Sequence, residues 1–152
     1  MLSDAIQNAL SNQIKREFSS AYAYLAMTAY FEDTNFPGFA KWTRMQYEEE
    51  ISHGMRLFDF VHARGGRAIV HGTDKPPTDF DGPLDVFTKA LAQEEKDYGT
   101  QIELQWFITE QIEEEKIFDE IIQTLNLAGD NQAALLLLDR QLGERKIEAA
   151  PA

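Results

Sequence analysis

Breaks in the helical pattern are few, and their placement leaves this chain few folds to adopt. Glycine and proline gather at Asn35-Phe36-Pro37-Gly38, between Gly65-Gly66 and Gly82-Pro83, and at Gly129-Asp130-Asn131. Between these points apolar residues recur at helical, not alternating, spacing. A first helix is expected over Asp4–Asp33, capped by Ser3 or Asp4, with an apolar face of Ile6, Leu10, Ile14, Ala21 and Leu25. A second starts after Pro37 and ends at Gly65; its stripe includes Phe39, Trp42, Leu57, Phe60 and Val61. A third runs only from Pro83 to Asp97. A fourth spans Thr100 to Leu125, with Leu104, Phe107, Phe118, Ile121 and Leu125 on its stripe. A last helix, Asn131 to Ile147, is apolar nearly all round in its first half, which predicts burial against other subunits or a closing contact on the bundle.

The 18 residues from Gly65 to Gly82 contain few helix formers. Fully extended they span at most ~60 Å, against ~40 Å for a helix of about 27 residues. The segment can cross the whole bundle and set the second and third helices parallel. The expectation is an all-α four-helix bundle with a long crossover and a short fifth helix, read as a single domain over residues 1–152.

Composition narrows the chemistry. The 152 residues include no cysteine, which excludes disulfides, thiolate zinc sites and iron–sulfur clusters. Fourteen basic against 26 acidic residues give a net charge of -12. That is no footprint for nucleic acid; it suits a chain that meets cations. No apolar run approaches the ~18 residues of a membrane span, and the first residues lack the form of a signal peptide. No membrane partner and a cytoplasmic location are expected.

The informative residues interrupt the apolar stripes. Glu17 lies seven after Leu10 and four before Ala21, on the buried face of the first helix. Glu50 and His53 lie seven and four before Leu57. Gln111 is four after Phe107, and Glu114 four before Phe118. Three helices thus place polar groups on the core side at their midpoints. Each unpaired buried carboxylate costs several kcal/mol; three would exceed a typical domain stability of ~5–15 kcal/mol. No lysine or arginine sits on these stripes at the same level, and Lys15 and Arg16 point elsewhere. A cation is required. Carboxylates with one imidazole suit iron or manganese, and zinc adventitiously. Glu50-Ile51-Ser52-His53 is the Glu-x-x-His unit of di-metal carboxylate bundles. Any one of these signals arises by chance on an acidic helix; their coincidence at matching depth does not. His62 and His71 read as surface or loop residues, and Tyr24, seven after Glu17, as a core tyrosine.

At these residues the chain resembles the bacterial and archaeal-type non-haem ferritins over nearly its whole length. The matching stretches are Asn12-Gln13, Arg16-Glu17, Ser20-Ala21-Tyr22-Ala23-Tyr24-Leu25, Glu48-Glu49-Glu50-Ile51-Ser52-His53, Gly65-Gly66-Arg67, Lys75-Pro76-Pro77 and Leu104-Gln105-Trp106-Phe107 through Glu110-Gln111-Ile112-Glu113-Glu114-Glu115. Leu138-Asp139-Arg140-Gln141-Leu142 fits the family's fifth helix. The resemblance implies a ferritin-like bundle in a 24-subunit cage that oxidises Fe(II) with dioxygen or peroxide at a di-iron centre and stores Fe(III) mineral. By position it implies Glu17 and His53 on iron A, Glu50 bridging, and Glu114 on iron B with Gln111 beside it. It also implies Glu49, Glu110 and Glu113 at a third, outer iron site, and Tyr24 next to the centre.

The chain departs from that family in its third helix and the following turn, which are short by roughly sixteen residues, about 4.4 helical turns. Read forward from Pro83, Glu94 falls at the iron B glutamate. Read backward from Gln105, Ala90 to Tyr98 matches the end of the third helix, and that glutamate is absent. A deletion between two similar stretches, natural or engineered, accounts for the double fit. A half-length third helix ends near mid-bundle, ~20 Å or more from the end where the fourth must start, too far for Tyr98-Gly99-Thr100. Either the fourth helix gives up its first turns, or the two join at Gly99 into one helix ~64 Å long that must reach a second subunit. A remodelled region and an altered assembly are expected. Two rivals to ferroxidase and iron storage follow. One is a shortened ferritin kept as a structural self-assembly scaffold with little turnover. The other is a rubrerythrin-like di-iron enzyme, disfavoured by the absent cysteines and the lone Glu-x-x-His unit.

Overall fold

The computed structural model describes the backbone of residues 2–96 and 105–146 and the side chains of residues 2–95 and 113–146. Five helices follow in order: α1 (Asp4–Asp33), α2 (Pro37–Ala63), α3 (Pro83–Lys96), α4 (Gln105–Ala128) and α5 (Gln132–Gly143). Ser3 caps α1, its hydroxyl accepting from the Ile6 amide at 3.2 Å. Proline opens α2 where a missing N–H costs nothing. Asn35, at φ 63°, makes the tight reversal between them. α1 and α2 run antiparallel, as the Thr28–Thr43 hydroxyl pair at 2.8 Å and the Phe31–Phe39 contact show.

The crossover behaves as its length predicts. It leaves α2 alongside the start of α1, where Gln7 Oε1 accepts from the Arg67 amide and Ser11 Oγ from the Ile69 amide. It arrives at the opposite end, where Phe80 packs on Tyr30 and Phe87 on Phe31. α3 therefore runs parallel to α2.

Two apolar clusters form the core, one on each side of a layer of carboxylates. The larger joins Tyr24, Met27, Phe31, Phe39, Trp42, Phe87, Phe118, Ile121, Leu125, Leu135 and Leu138 from all five helices. The smaller, Leu10, Ile14, Leu57, Val61 and Ala68, comes from α1, α2 and the crossover among the described residues. Burying one Phe contributes about 1.5–3 kcal/mol, so the aromatic cluster offsets the cost of the polar layer.

Several expectations need correction. Ile6 and Leu25 are exposed; the face of α1 that packs carries Tyr24, Met27 and Phe31 instead. On α5 the expected closing contact on the bundle is made by Leu135 and Leu138, with Leu136 and Leu137 exposed on the single chain. α5 stops at Gly143, not Ile147, because the chain then turns back toward α2. Nor do α3 and α4 join into one helix. A continuous helix would hold Glu94 and Glu114 ~30 Å apart; their carboxylate oxygens lie within 4.8 Å, so the two helices lie side by side. The turn expected at Tyr98-Gly99-Thr100 lies outside the described residues. No described helix is long and apolar enough to cross a membrane.

Candidate metal centre

The mid-bundle layer draws one side chain or more from each of four helices. Glu17 from α1, Glu50 from α2 and Glu94 from α3 are each at most 2% exposed, and Glu114 from α4 is buried at 9%. His53, one turn after Glu50, is partly buried beside them. Its Nδ1 lies 3.5 Å from Glu17 Oε2 and 3.8 Å from Glu50 Oε2. Ligand atoms of Glu17, Glu50 and His53 fall within 4.8 Å of one another, and so do those of Glu50, Glu94 and Glu114. Glu50 belongs to both groups, so two cations held by them would sit side by side.

The surroundings orient these groups. Gln13, buried one turn before Glu17, donates from Nε2 to Glu17 Oε1 at 3.0 Å. The Tyr24 hydroxyl donates to Glu94 Oε1 at 2.6 Å, and its ring stacks on Phe118. Glu94 thus stands with Glu50 and Glu114. Glu17 Oε2 is buried without a hydrogen bond of good geometry, the His53 Nδ1 lying 3.5 Å from it. An acceptor left over beside an imidazole and a second carboxylate is what a bound cation would use.

Electrostatics without a cation is unfavourable. Burial, then the charges of Glu17 and Glu94, push the Glu50 carboxyl well above the usual glutamate range. Burial and Glu94 do the same to Glu114, and burial raises Glu94 against the opposing bond from Tyr24. Glu17 moves the other way: burial opposes its charge, but bonds from Glu50 and His53 and the charge of His53 outweigh it. Burial also raises the Tyr24 hydroxyl, with Glu94 adding to it; Tyr24 stays a neutral donor.

The sign of the pH dependence follows. A carboxyl whose folded pKa is raised contributes stability that is complete below the unfolded value and lost as pH climbs through the folded one. Three raised groups outweigh Glu17, whose contribution is lost only as pH falls below the ordinary glutamate range. The metal-free protein is expected to melt at progressively lower temperature as pH climbs above the ordinary glutamate range. Redox-silent Zn2+ should flatten that slope and release protons on binding. Calorimetry in two buffers of different ionisation heat measures both; a slope unchanged by metal would refute the assignment. Tyr24→Phe should weaken metal binding at Glu94 about 10- to 100-fold, read by Zn2+ titration.

Other sequence candidates are placed elsewhere. Glu49 is held by Arg145 at 2.7 Å and joins neither group. Glu113 is exposed. The side chains of Glu110 and Gln111 lie outside the described residues. Gln13 and Arg145 were not among the sequence candidates. Gln13 was legible in principle, four residues before Glu17 on the same face; Arg145 carried no local signal.

The Ferritin-like domain family matches residues 7–96 and 89–128, so residues 89–96 are claimed twice, where the sequence fits two registers. The bacterial non-heme ferritin of Staphylococcus saprophyticus is 35% identical over 97% of this chain and 98% of its own. That of Staphylococcus haemolyticus is 35% identical over 97% and 99%. Both alignments run to 164 positions against 152 residues here, so at least a dozen positions have no counterpart. Among solved structures, an open-pore ferritin from Archaeoglobus fulgidus aligns with TM-score 0.89 and 38% identity over 96% of this chain and 100% of its own. A closed form of that ferritin, made by site-directed mutagenesis, aligns at 0.90 and 38% over 97% and 100%. Helix order, the crossover, the layer of glutamates and these likenesses agree, and the chain belongs to the ferritin family.

Proposed function

We propose that the chain stores iron within a homo-oligomeric assembly and oxidises Fe(II) at the Glu17, Glu50, His53, Glu94 and Glu114 centre. The observation that carries this is Glu50 shared between two ligand groups of opposite helix pairs. Fe(II) is the substrate. Glu17 and His53 hold one ion, Glu94 and Glu114 the other, and Glu50 spans both. Each Fe(II) gives up one electron. Dioxygen takes two electrons and two protons to peroxide; peroxide takes two more of each to water. Protons held on Glu50 and Glu114 leave as the cations enter, which supplies them locally. With one imidazole among carboxylates the ligation is weak enough for oxidised iron to move on to mineral. The acidic excess draws Fe(II) in.

Anaerobic Fe(II) titration should show two equivalents per chain, and air should then oxidise both in a fast phase. Fewer than two equivalents, or oxidation no faster than free Fe(II), would remove the ferroxidase reading. The shortened α3 favours a second reading, a scaffold that assembles with little turnover. Light scattering separates the assembly question from the catalytic one: an assembly that forms but oxidises slowly supports the scaffold.

A further inference from the structure

Gly54 sits buried in the interior of α2, where glycine costs about 1 kcal/mol against alanine. Its neighbour across the helix pair explains the choice. A Cβ added at residue 54 would lie 2.5 Å from Phe18 Cε1, 2.9 Å from Cδ1 and 3.1 Å from Cζ. Ordinary contacts between carbon atoms are ~3.5–4.0 Å, so an alanine needs the ring and α2 to part by ~1 Å. Swinging the ring aside would undo its packing on the cluster of Leu10, Ile14, Leu57 and Val61. The two residues directly follow two of the ligands, Phe18 after Glu17 on α1 and Gly54 after His53 on α2. One residue advances a helix by only ~1.5 Å. The contact is therefore level with Glu17 Oε2 and His53 Nδ1, which lie 3.5 Å apart.

We infer that Gly54 is a positioning residue for the Glu17–His53 half of the centre. Its missing side chain lets the Phe18 ring lie against the α2 backbone, and so lets α1 approach α2 until both ligands reach one ion. The spacing of packed helices, ~8–10 Å, is set by the side chains at the contact. Metal–ligand distances tolerate only about 0.2 Å, so a displacement of ~1 Å at this level takes Glu17 or His53 out of reach. Glu94 and Glu114 stand on α3 and α4, which this contact does not join. One added methyl should thus weaken one cation position and spare the other. The inference rests on the metal-centre reading and adds to it the residue that sets the spacing of its first ligand pair.

The test is calorimetric titration of the metal-free protein with Zn2+. Wild type should take two equivalents, and His53→Ala identifies the one shared with Glu17. Gly54→Ala should weaken that equivalent about 10- to 100-fold, the cost of losing a group that orients a ligand, and change the other by less than about threefold. Made in Phe18→Leu, where the ring is gone, the same change at Gly54 should cost less than about threefold at both positions. Comparison within each background removes any effect of Phe18→Leu alone. A merely structural role would lower the melting temperature without choosing between the two equivalents. Gly54→Ala that binds both equivalents like wild type, weakens both alike, or costs as much in Phe18→Leu as in wild type overturns the positioning role and leaves the metal centre standing. Wild type that binds no Zn2+ overturns the metal-centre reading, and the positioning role falls with it.

Discussion

Glu50→Gln is expected to slow Fe(II) oxidation by at least about 100-fold and, in the metal-free protein, to raise the melting temperature. The two effects have one cause. Glu50 is the residue common to both ligand groups, so its loss leaves each with two ligands and nothing spanning them. Removing a partner that merely orients a ligand costs about 10- to 100-fold in metal affinity or activity; removing a shared ligand costs more. The same carboxyl is 2% exposed and faces Glu17, Glu94 and Glu114. Neutral glutamine keeps the volume and removes the repulsion, a gain of about 1–3 kcal/mol, or several degrees for a chain of this length. Stopped-flow oxidation and thermal melts with and without Zn2+ check both arms. Fast oxidation retained, or a less stable metal-free protein, would take Glu50 out of the bridging position.

Gly38→Ala is expected to dislodge α5. A methyl at residue 38 would lie 1.8 Å from the Asp139 carbonyl oxygen, and one at Gly143 would lie 2.9 Å from the Gly38 Cα. Both contacts are with backbone, which cannot swing aside. Phe36, the N-cap residue of α2, makes no side-chain capping bond. Asp139 supplies it from α5, accepting the Phe39 amide at 2.8 Å. Forcing the helices apart gives up that bond, worth about 0.5–2 kcal/mol. It also exposes Leu135 and Leu138, each worth about 1.5–3 kcal/mol when buried. A loss of about 3 kcal/mol or more is expected in denaturant unfolding. Gly72→Ala, where an added Cβ meets nothing within 4 Å, is the control and should stay within about 0.5 kcal/mol of wild type. Equal midpoints for the two variants would refute the close docking of α5.

Much of this was written in local order. Helix starts followed from Ser3, Pro37, Pro83 and Asn131, since caps and proline act through their own backbone. The crossover followed from length alone. Glu17, Glu50, His53 and Glu114 were legible because burial on a helix is periodic, and a charge in phase with apolar neighbours must be buried with them.

Tertiary structure decided what no helix carries within itself. Whether Ile6 and Leu25 or Met27 and Phe31 face inward depends on the rotation of α1 against its neighbours, which a stripe fixes only to within a residue or so. Glu94 had two registers in the sequence. Its place beside Glu50 and Glu114 comes from the side-by-side packing of α3 and α4, and Tyr24, seventy residues away, bonds to it. Arg145 and Asp139 act about a hundred residues from Glu49 and Phe39. Periodicity tells which side of a helix is buried; which distant groups meet there is set by how the helices dock, and that is a property of the assembled bundle.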